Sequence, residues 1–195
     1  MVLNRKEKLI GSTRNSGGII LYVRDKLASP DMCIMQQNDS HFWVKLSGKH
    51  FDLKTDLLIC VCYIIPSNSS RNVLVENSIF DDILDNIANF QSTYGEDKYS
   101  FMILGDFNSR TGNLHDFVED DNVELLNLNI LPDDYIADRF LTRYNKDLNV
   151  NSNGRLLIDF LKQSGMRIAN GRVCGDCGDF TFWAIMGQAW LIIVL

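Results

Sequence analysis

The segment Gly105–Arg110 (GDFNSR) carries the side chains best suited to chemistry, and it directly follows the apolar run Tyr99–Leu104. Residues two apart in an extended chain point the same way, so we expect Asp106 and Asn108 to project together from a strand's carboxyl end. Open α/β sheets usually bind ligands at that edge. A carboxylate can orient or deprotonate water, and an amide can donate to a phosphate oxygen. The pair therefore suits phosphate-ester hydrolysis, with Arg110 as a candidate phosphate contact; the alternative is an Asx turn that ends the strand.

Other residues with chemical potential give weaker signals. Cys174 and Cys177 form a CxxC pair, which could be half a zinc site or a redox pair. No second CxxC or histidine pair accompanies it, so a metal site is not expected there. The three histidines His41, His50 and His115 are all predicted to lie on the surface.

Hydrophobic patterning predicts the elements that must position these residues. Strands are expected at 17–23, 41–46, 57–65, 99–104, 166–169 and 180–183, and helices at about 71–91 and 156–165. The run 57–65 is apolar throughout, which suits a central strand buried on both faces, and the first helix could be a crossover to 99–104. Strands mixed with helices indicate an α/β or α+β layered fold. The acidic stretch 111–149 is predicted to be a long surface excursion.

Composition narrows the class of protein. The 195 residues suit one domain, and 19 basic against 25 acidic side chains give a net charge of −6. That balance excludes a generally basic, histone-like or ribosomal protein, although an enzyme could still touch nucleic acid through a local patch. Five cysteines, an odd number, favour a reducing intracellular compartment, nuclear or cytoplasmic. Met1–Arg14 lacks the apolar stretch of a secretory signal, and no apolar run is long enough for a membrane span.

Five segments together resemble one known family. GDFNSR is similar to the GDFN signature of the endonuclease/exonuclease/phosphatase superfamily, and the others resemble, in the same order, the endonuclease domain of non-LTR (LINE-type) retrotransposons. These further segments are SGGIILYVR at 16–24, CYIIP at 62–66, LLIDFLKQSGMRIAN at 156–170 and FTFW at 180–183. The resemblance covers nearly the whole chain, and the ordered set is more specific than any one motif.

The resemblance implies a fold and a set of roles. The fold would be a deoxyribonuclease-I-like, four-layer α/β sandwich with two mixed β-sheets, here incomplete. Asp106 would orient or activate the attacking water and could be one ligand of Mg²⁺, the family's cofactor. Asn108 would hold the scissile phosphate, the hydroxyl of Tyr63 would approach it, and Thr181 would support the site.

The sequence also departs from the family pattern. The family's upstream strands, with an asparagine and a metal-binding glutamate, have no counterpart in the tail 1–15. A terminal strand with an aspartate, followed by Ser-Asp-His, is also missing, and 187–195 is aberrant, as a frameshift or gene-model error would make it. We therefore expect 1–195 to be a single partial domain with weak Mg²⁺ binding and little or no nuclease activity.

Three functions remain open from the sequence. The resemblance implies an endonuclease that nicks target DNA to prime reverse transcription, in a parent protein fused to a reverse transcriptase. The first alternative is a phosphatase of the same fold that acts on lipid or inositol phosphates. The second is a non-catalytic remnant with at best weak nucleic-acid binding.

Overall fold

The computed structural model describes residues 2–4, 18–28, 30–69, 78–119, 137–173, 178 and 191–194. In chain order, its strands and α-helices are β1 (Val2–Asn4), β2 (Gly18–Ile20), β3 (Cys33–Gln37), β4 (His41–Leu46), β5 (Asp56–Tyr63), α1 (Ile79–Tyr94), β6 (Tyr99–Asp106), α2 (Ser152–Ser164) and β7 (Leu191–Val194). Strands and helices thus mix along the chain, which confirms the α/β or α+β prediction at this level. Neither α1 nor α2 has the length and apolar character that a membrane span would need.

The strands form one mixed sheet and one short ribbon. The sheet has the order β3-β4-β5-β6-β7, and only the central pair, β5 and β6, is parallel. Helix α1 lies between those two strands in sequence, so it is the predicted crossover connection. The ribbon pairs β1 with β2 antiparallel, and β1 falls within the segment predicted to be a tail.

One face of the sheet packs against the two helices. The strands contribute Trp43, Leu58, Cys60 and Ile103 to this core. The buried apolar side chains from the helices are Phe80, Ile83, Ile87, Phe90, Leu157, Ile158, Phe160 and Leu161. These positions recur at three- and four-residue spacing, so each helix buries a single stripe.

The opposite face of the sheet carries a second apolar cluster. Its buried members are Phe42, Val44, Leu46, Leu57 and Ile59, and Ile19, Leu21 and Met32 pack against them. Strand β5 therefore contributes to both clusters with alternate side chains, as its continuous apolar run predicts.

Most predicted elements are confirmed, with shifted ends. Strand 41–46 matches β4, whereas 57–65 ends two residues early and 99–104 continues for two more. The first helix begins only at Ile79, where the Ser78 hydroxyl oxygen accepts from the backbone N–H of Phe80 at 3.2 Å; 71–77 lies outside the described residues. Helix α2 ends at Ser164 and is capped by Gly165, whose φ of 69° is the left-handed conformation that glycine favours.

Two of the shorter predicted strands differ from expectation. The stretch 17–23 is a strand only over β2. The stretch 166–169 is not a strand, because only Ile168 there makes a bridge and its neighbours are irregular. The predicted strand 180–183 lies outside the described residues.

The prediction that His41 lies on the surface is wrong, because the residue is 0% exposed. Its Nε2 lies 3.1 Å from Oδ1 of Asn86 in α1, and Nε1 of Trp43 donates to the same oxygen at 2.9 Å. An amide oxygen only accepts, so His41 donates to Asn86 from Nε2. His50 and His115 are exposed, as predicted.

We expect Asn86→Ala to destabilise the fold by about 2–4 kcal/mol, because it leaves the buried N–H groups of His41 and Trp43 without an acceptor. Urea denaturation would measure the change in the free energy of unfolding. Asn89→Ala is the matched control, since Asn89 is exposed on the same helix. Equal effects of the two substitutions would contradict the role of Asn86.

The free energy of unfolding should also fall as the pH drops below about 6.5. Burial lowers the pKa of His41 from its ordinary value, and the Asn86 hydrogen bond and the charge of Asp82 only partly offset this. The unfolded chain therefore takes up a proton at His41 that the folded chain resists, at a slope of up to about 1.4 kcal/mol per pH unit. Denaturation between pH 7 and 5 should show this slope, reduced in His41→Gln but kept in His50→Gln.

Candidate phosphate-ester site

The parallel pairing of β5 and β6 places Tyr63 beside Asp106. The two residues are register partners at the carboxyl ends of their strands. The pairing continues past the strand end, where the backbone N–H of Ile64 donates to the carbonyl oxygen of Asp106 at 2.8 Å. Two of the predicted site residues thus lie on adjacent strands at one edge of the sheet.

Gly105 allows the two strands to approach this closely. It pairs with Cys62 and has φ +155°, and a Cβ at this position would collide with the carbonyl of Cys62. Only glycine has neither the Cβ nor the restriction on φ. The glycine of GDFNSR is therefore required by the backbone contact just before the site.

Asp106 and Asn108 come together through a turn rather than through strand alternation. Strand β6 ends at Asp106, and Asn108 adopts the left-handed region with φ 44°. The backbone N–H of Asn108 donates to Oδ1 of Asp106 at 3.0 Å, which is the Asx turn considered as the alternative. The expected geometry of an extended pair is therefore wrong in detail, because the carboxylate captures the next free N–H.

The side chain of Asn108 crosses to the neighbouring strand end. Its Nδ2 donates to the carbonyl oxygen of Ile64 at 2.8 Å, and both Asn108 and Asp106 remain half-buried. One N–H of the amide is used in this bond. An amide carries two, so the second can serve another acceptor.

Partial burial raises the pKa of Asp106, and the hydrogen bond from the Asn108 backbone only partly offsets that effect. Water solvates a carboxylate better than protein does, so the charged form becomes less favourable. A carboxylate of this kind accepts a proton more readily than an exposed one, as a general base must.

The side chain of Arg110 is paired with Asp147, and its role as a phosphate contact stays a prediction. Its Nε and Nη2 donate to the two carboxylate oxygens of Asp147 at 2.7 and 3.2 Å, a bidentate pair. Burial raises the pKa of Asp147, but the hydrogen bonds from Arg110 and Asn149 outweigh it and the net pKa is lowered. Arg110 therefore fixes a loop.

Two asparagines that the sequence analysis missed hold the site in place. Oδ1 of Asn151 accepts from the backbone N–H of Arg110 at 2.9 Å and of Gly154 at 2.8 Å, while its Nδ2 donates to the Asn108 carbonyl at 2.9 Å. Nδ2 of Asn153 donates to the Ile65 carbonyl at 3.0 Å.

The sequence contains a signal for the capping role of Asn151. An asparagine directly before an amphipathic run is a preferred N-cap, and Asn151 caps α2. Its second role, tying the loop after β6 to that helix, depends on a contact more than forty residues away and leaves no local pattern.

The stretch predicted to be a surface excursion is partly buried where the structure describes it, at 111–119 and 137–149. Asp116 is buried, accepts from the Ile168 N–H at 3.0 Å and pairs with Arg172 at 2.5 and 2.8 Å. Burial raises the pKa of Asp116, but the hydrogen bonds from Arg172 and Ile168 outweigh this effect, and the net pKa is lowered. Acidic residues of this stretch that pair with an arginine, such as Asp116, therefore stabilise the fold.

The remaining predicted site residues lie outside the described part of the chain. These are Thr181 and the cysteine pair Cys174 and Cys177. Among the described residues, no three His, Cys, Asp or Glu side chains are grouped closely enough to hold a metal ion.

Comparison with known proteins assigns the chain to no family. No protein-family model matches the chain, and no curated protein matches it.

We expect Gly105→Ala to destabilise the fold by about 3 kcal/mol or more, because its Cβ must displace the Cys62 backbone. Gly95→Ala is the control for backbone strain alone, since Gly95 has φ +98° and open space around it. The control should cost about 1–2 kcal/mol. Equal losses in thermal or urea unfolding would show that the close strand contact does not matter.

Proposed function

We propose that this chain is a partial domain of the endonuclease/exonuclease/phosphatase type, related to the endonucleases of LINE-type retrotransposons, with a deoxyribonuclease-I-like fold. Its site would bind a DNA phosphodiester at the carboxyl edge of β5 and β6. The observation that carries the proposal is the Asp106–Asn108 turn beside Tyr63 at that edge. The ordered sequence resemblance supports it independently.

Asp106 supplies the base in this proposal. Its carboxylate is half-buried and has a raised pKa, so it can take a proton from a water molecule that attacks phosphorus. The hydrogen bond from the Asn108 backbone fixes the orientation of one carboxylate oxygen and leaves the other for that water. Any activity should therefore fall at acid pH, starting at a higher pH than for an exposed aspartate.

Asn108 and Tyr63 bind the phosphate in this proposal. The Ile64 carbonyl fixes the orientation of the Asn108 amide, whose second N–H can donate to a phosphate oxygen without introducing a negative charge. The Tyr63 hydroxyl would approach the same phosphate from the neighbouring strand. Thr181 keeps its supporting role as an expectation of the resemblance.

The described residues do not make a complete Mg²⁺ site. Magnesium requires an octahedral set of oxygen ligands, and Asp106 is a single carboxylate with no group of further acidic side chains around it in the described ranges. When bound, the ion would neutralise charge on the phosphate. We expect weak Mg²⁺ binding and at most weak turnover from this chain, as the departures from the family pattern in the sequence predict.

Plasmid nicking in the presence of Mg²⁺ tests the proposal. Any conversion of supercoiled to nicked DNA should be slow and should fall about 100-fold or more in Asp106→Ala, because the base is lost. Asp81→Ala is the control, since Asp81 is an exposed carboxylate on α1. Nicking that survives Asp106→Ala would contradict the proposal.

If the chain does not cleave DNA, a DNA-binding measurement still tests whether Asn108 contacts the phosphate. The side-chain amide resonance of Asn108 should shift when a short duplex DNA is added, and the amide resonance of exposed Asn89 should not. Phosphate release from phosphoinositides, faster than diester cleavage, would favour the phosphatase alternative. No shift and no cooperative unfolding transition would favour a non-catalytic remnant.

A further inference from the structure

A second cavity lies close to the candidate site and is lined by different residues. It has a volume of about 180 Å³, and its lining includes His115, Phe117, Phe140 and Arg143. Pockets for drug-sized ligands measure about 300–1,000 Å³, so this one suits a single flat ring system. Arg143 also lines a smaller cavity together with Ser109, Arg110 and Asp147.

Three aromatic rings form one wall of the cavity. His115 stacks on Phe117 with centroids 5.0 Å apart, and Phe140 meets Phe117 edge-on at 5.6 Å. Phe140 is nevertheless 60% exposed, so much of its ring is accessible to a ligand. An exposed ring beside a cavity can stack on a planar partner.

The polar lining is cationic in an otherwise acidic protein. Arg172 is paired with both carboxylate oxygens of Asp116, and His115 lies 2.6 Å from the carboxylate of Glu119, while the chain carries a net charge of −6. Among the described residues, the guanidinium of Arg143 donates to neutral oxygens, at Thr111 Oγ1 and the carbonyls of Gly112 and Leu114. Arg143 is therefore the cation of the lining that could serve an anionic ligand.

The chain that carries Phe140 is held firmly despite its irregular conformation. Nη2 of Arg172 donates to the Leu141 carbonyl at 2.7 Å, and the Tyr144 N–H donates to the Gly171 carbonyl at 3.1 Å. A Cβ on Gly171 or Gly178 would collide with the Tyr144 carbonyl. The exposed ring is therefore presented by an ordered backbone, which lowers the entropy cost of binding.

We propose that this surface, defined by His115, Phe117, Phe140 and Arg143, binds an unpaired nucleobase together with its phosphate. The aromatic wall supplies stacking and the arginine supplies charge, which is the combination that single-stranded nucleic acid requires. The exposed side chain of Asn113 also lines the cavity and offers a donor and an acceptor to a base edge. The inference rests on the proposed function only in assuming that the substrate is a nucleic acid.

Fluorescence anisotropy with a labelled single-stranded 12-mer of deoxyadenosine, in EDTA, tests this proposal. An abasic 12-mer has the same phosphates and no bases. The full chain should bind the deoxyadenosine strand at least about tenfold more tightly than the abasic strand, since stacking a base contributes about 1–3 kcal/mol. Phe140→Ala should lose about the same factor.

Tyr22→Ala is the matched control, because Tyr22 is 88% exposed and belongs to a different part of the chain. It should bind as the unaltered chain does. Equal binding of the two strands, an unchanged Phe140→Ala, or no binding at all would overturn the inference. Because EDTA excludes metal-dependent cleavage, failure here would leave nicking by Asp106 untouched, and failure to nick would leave this binding untouched.

Discussion

The close parallel contact between β5 and β6 is the constraint on which the rest of the site depends. Gly105 lets the backbones meet at Cys62, and the register then carries Tyr63 to Asp106. Beyond the strand ends the same alignment lets the Asn108 side chain reach the Ile64 carbonyl. A shift of one residue would place a residue with a Cβ against the Cys62 carbonyl, so the close contact at Gly105 favours the register that brings Tyr63 beside Asp106.

Side-chain amides and ion pairs, rather than strands or helices, order the chain around that edge. Asn151 satisfies three backbone groups at once, and Asn153 satisfies one on the β5 side. Buried backbone groups need partners, and an amide offers both a donor and an acceptor in a short side chain. Irregular segments can therefore pack against the rest of the fold without losing hydrogen bonds. Asp116 is a further example, because its carboxylate accepts from the Ile168 N–H and from Arg172.

The sequence predicts local features of this structure well and long-range polar contacts poorly. Strand β4 and the end of α2 at Gly165 follow from alternation and from a glycine cap, both visible in a few neighbouring residues. The burial of His41 depends on Asn86, which lies 45 residues away in the sequence, and no local pattern around His41 predicts this acceptor. The sequence offers an Asx turn at Asp106 and a carboxylate–amide pair as alternatives. The structure has both, because the chain turns at Asp106 and the Asn108 side chain then reaches the Ile64 carbonyl.

The ion pair between Arg110 and Asp147 decides which groups can serve a phosphate. A phosphate oxygen that captured Arg110 would leave the carboxylate of Asp147, only 3% exposed, buried without its partner. The pair uses Nε and Nη2 of Arg110, so Nη1 is the guanidinium nitrogen left for a phosphate. Asn108 keeps a second N–H and therefore loses no charged partner when it donates to a phosphate. In the proposed function, phosphate recognition therefore falls first to Asn108 and Tyr63, while the ion pair with Asp147 keeps Arg110 and its loop in place.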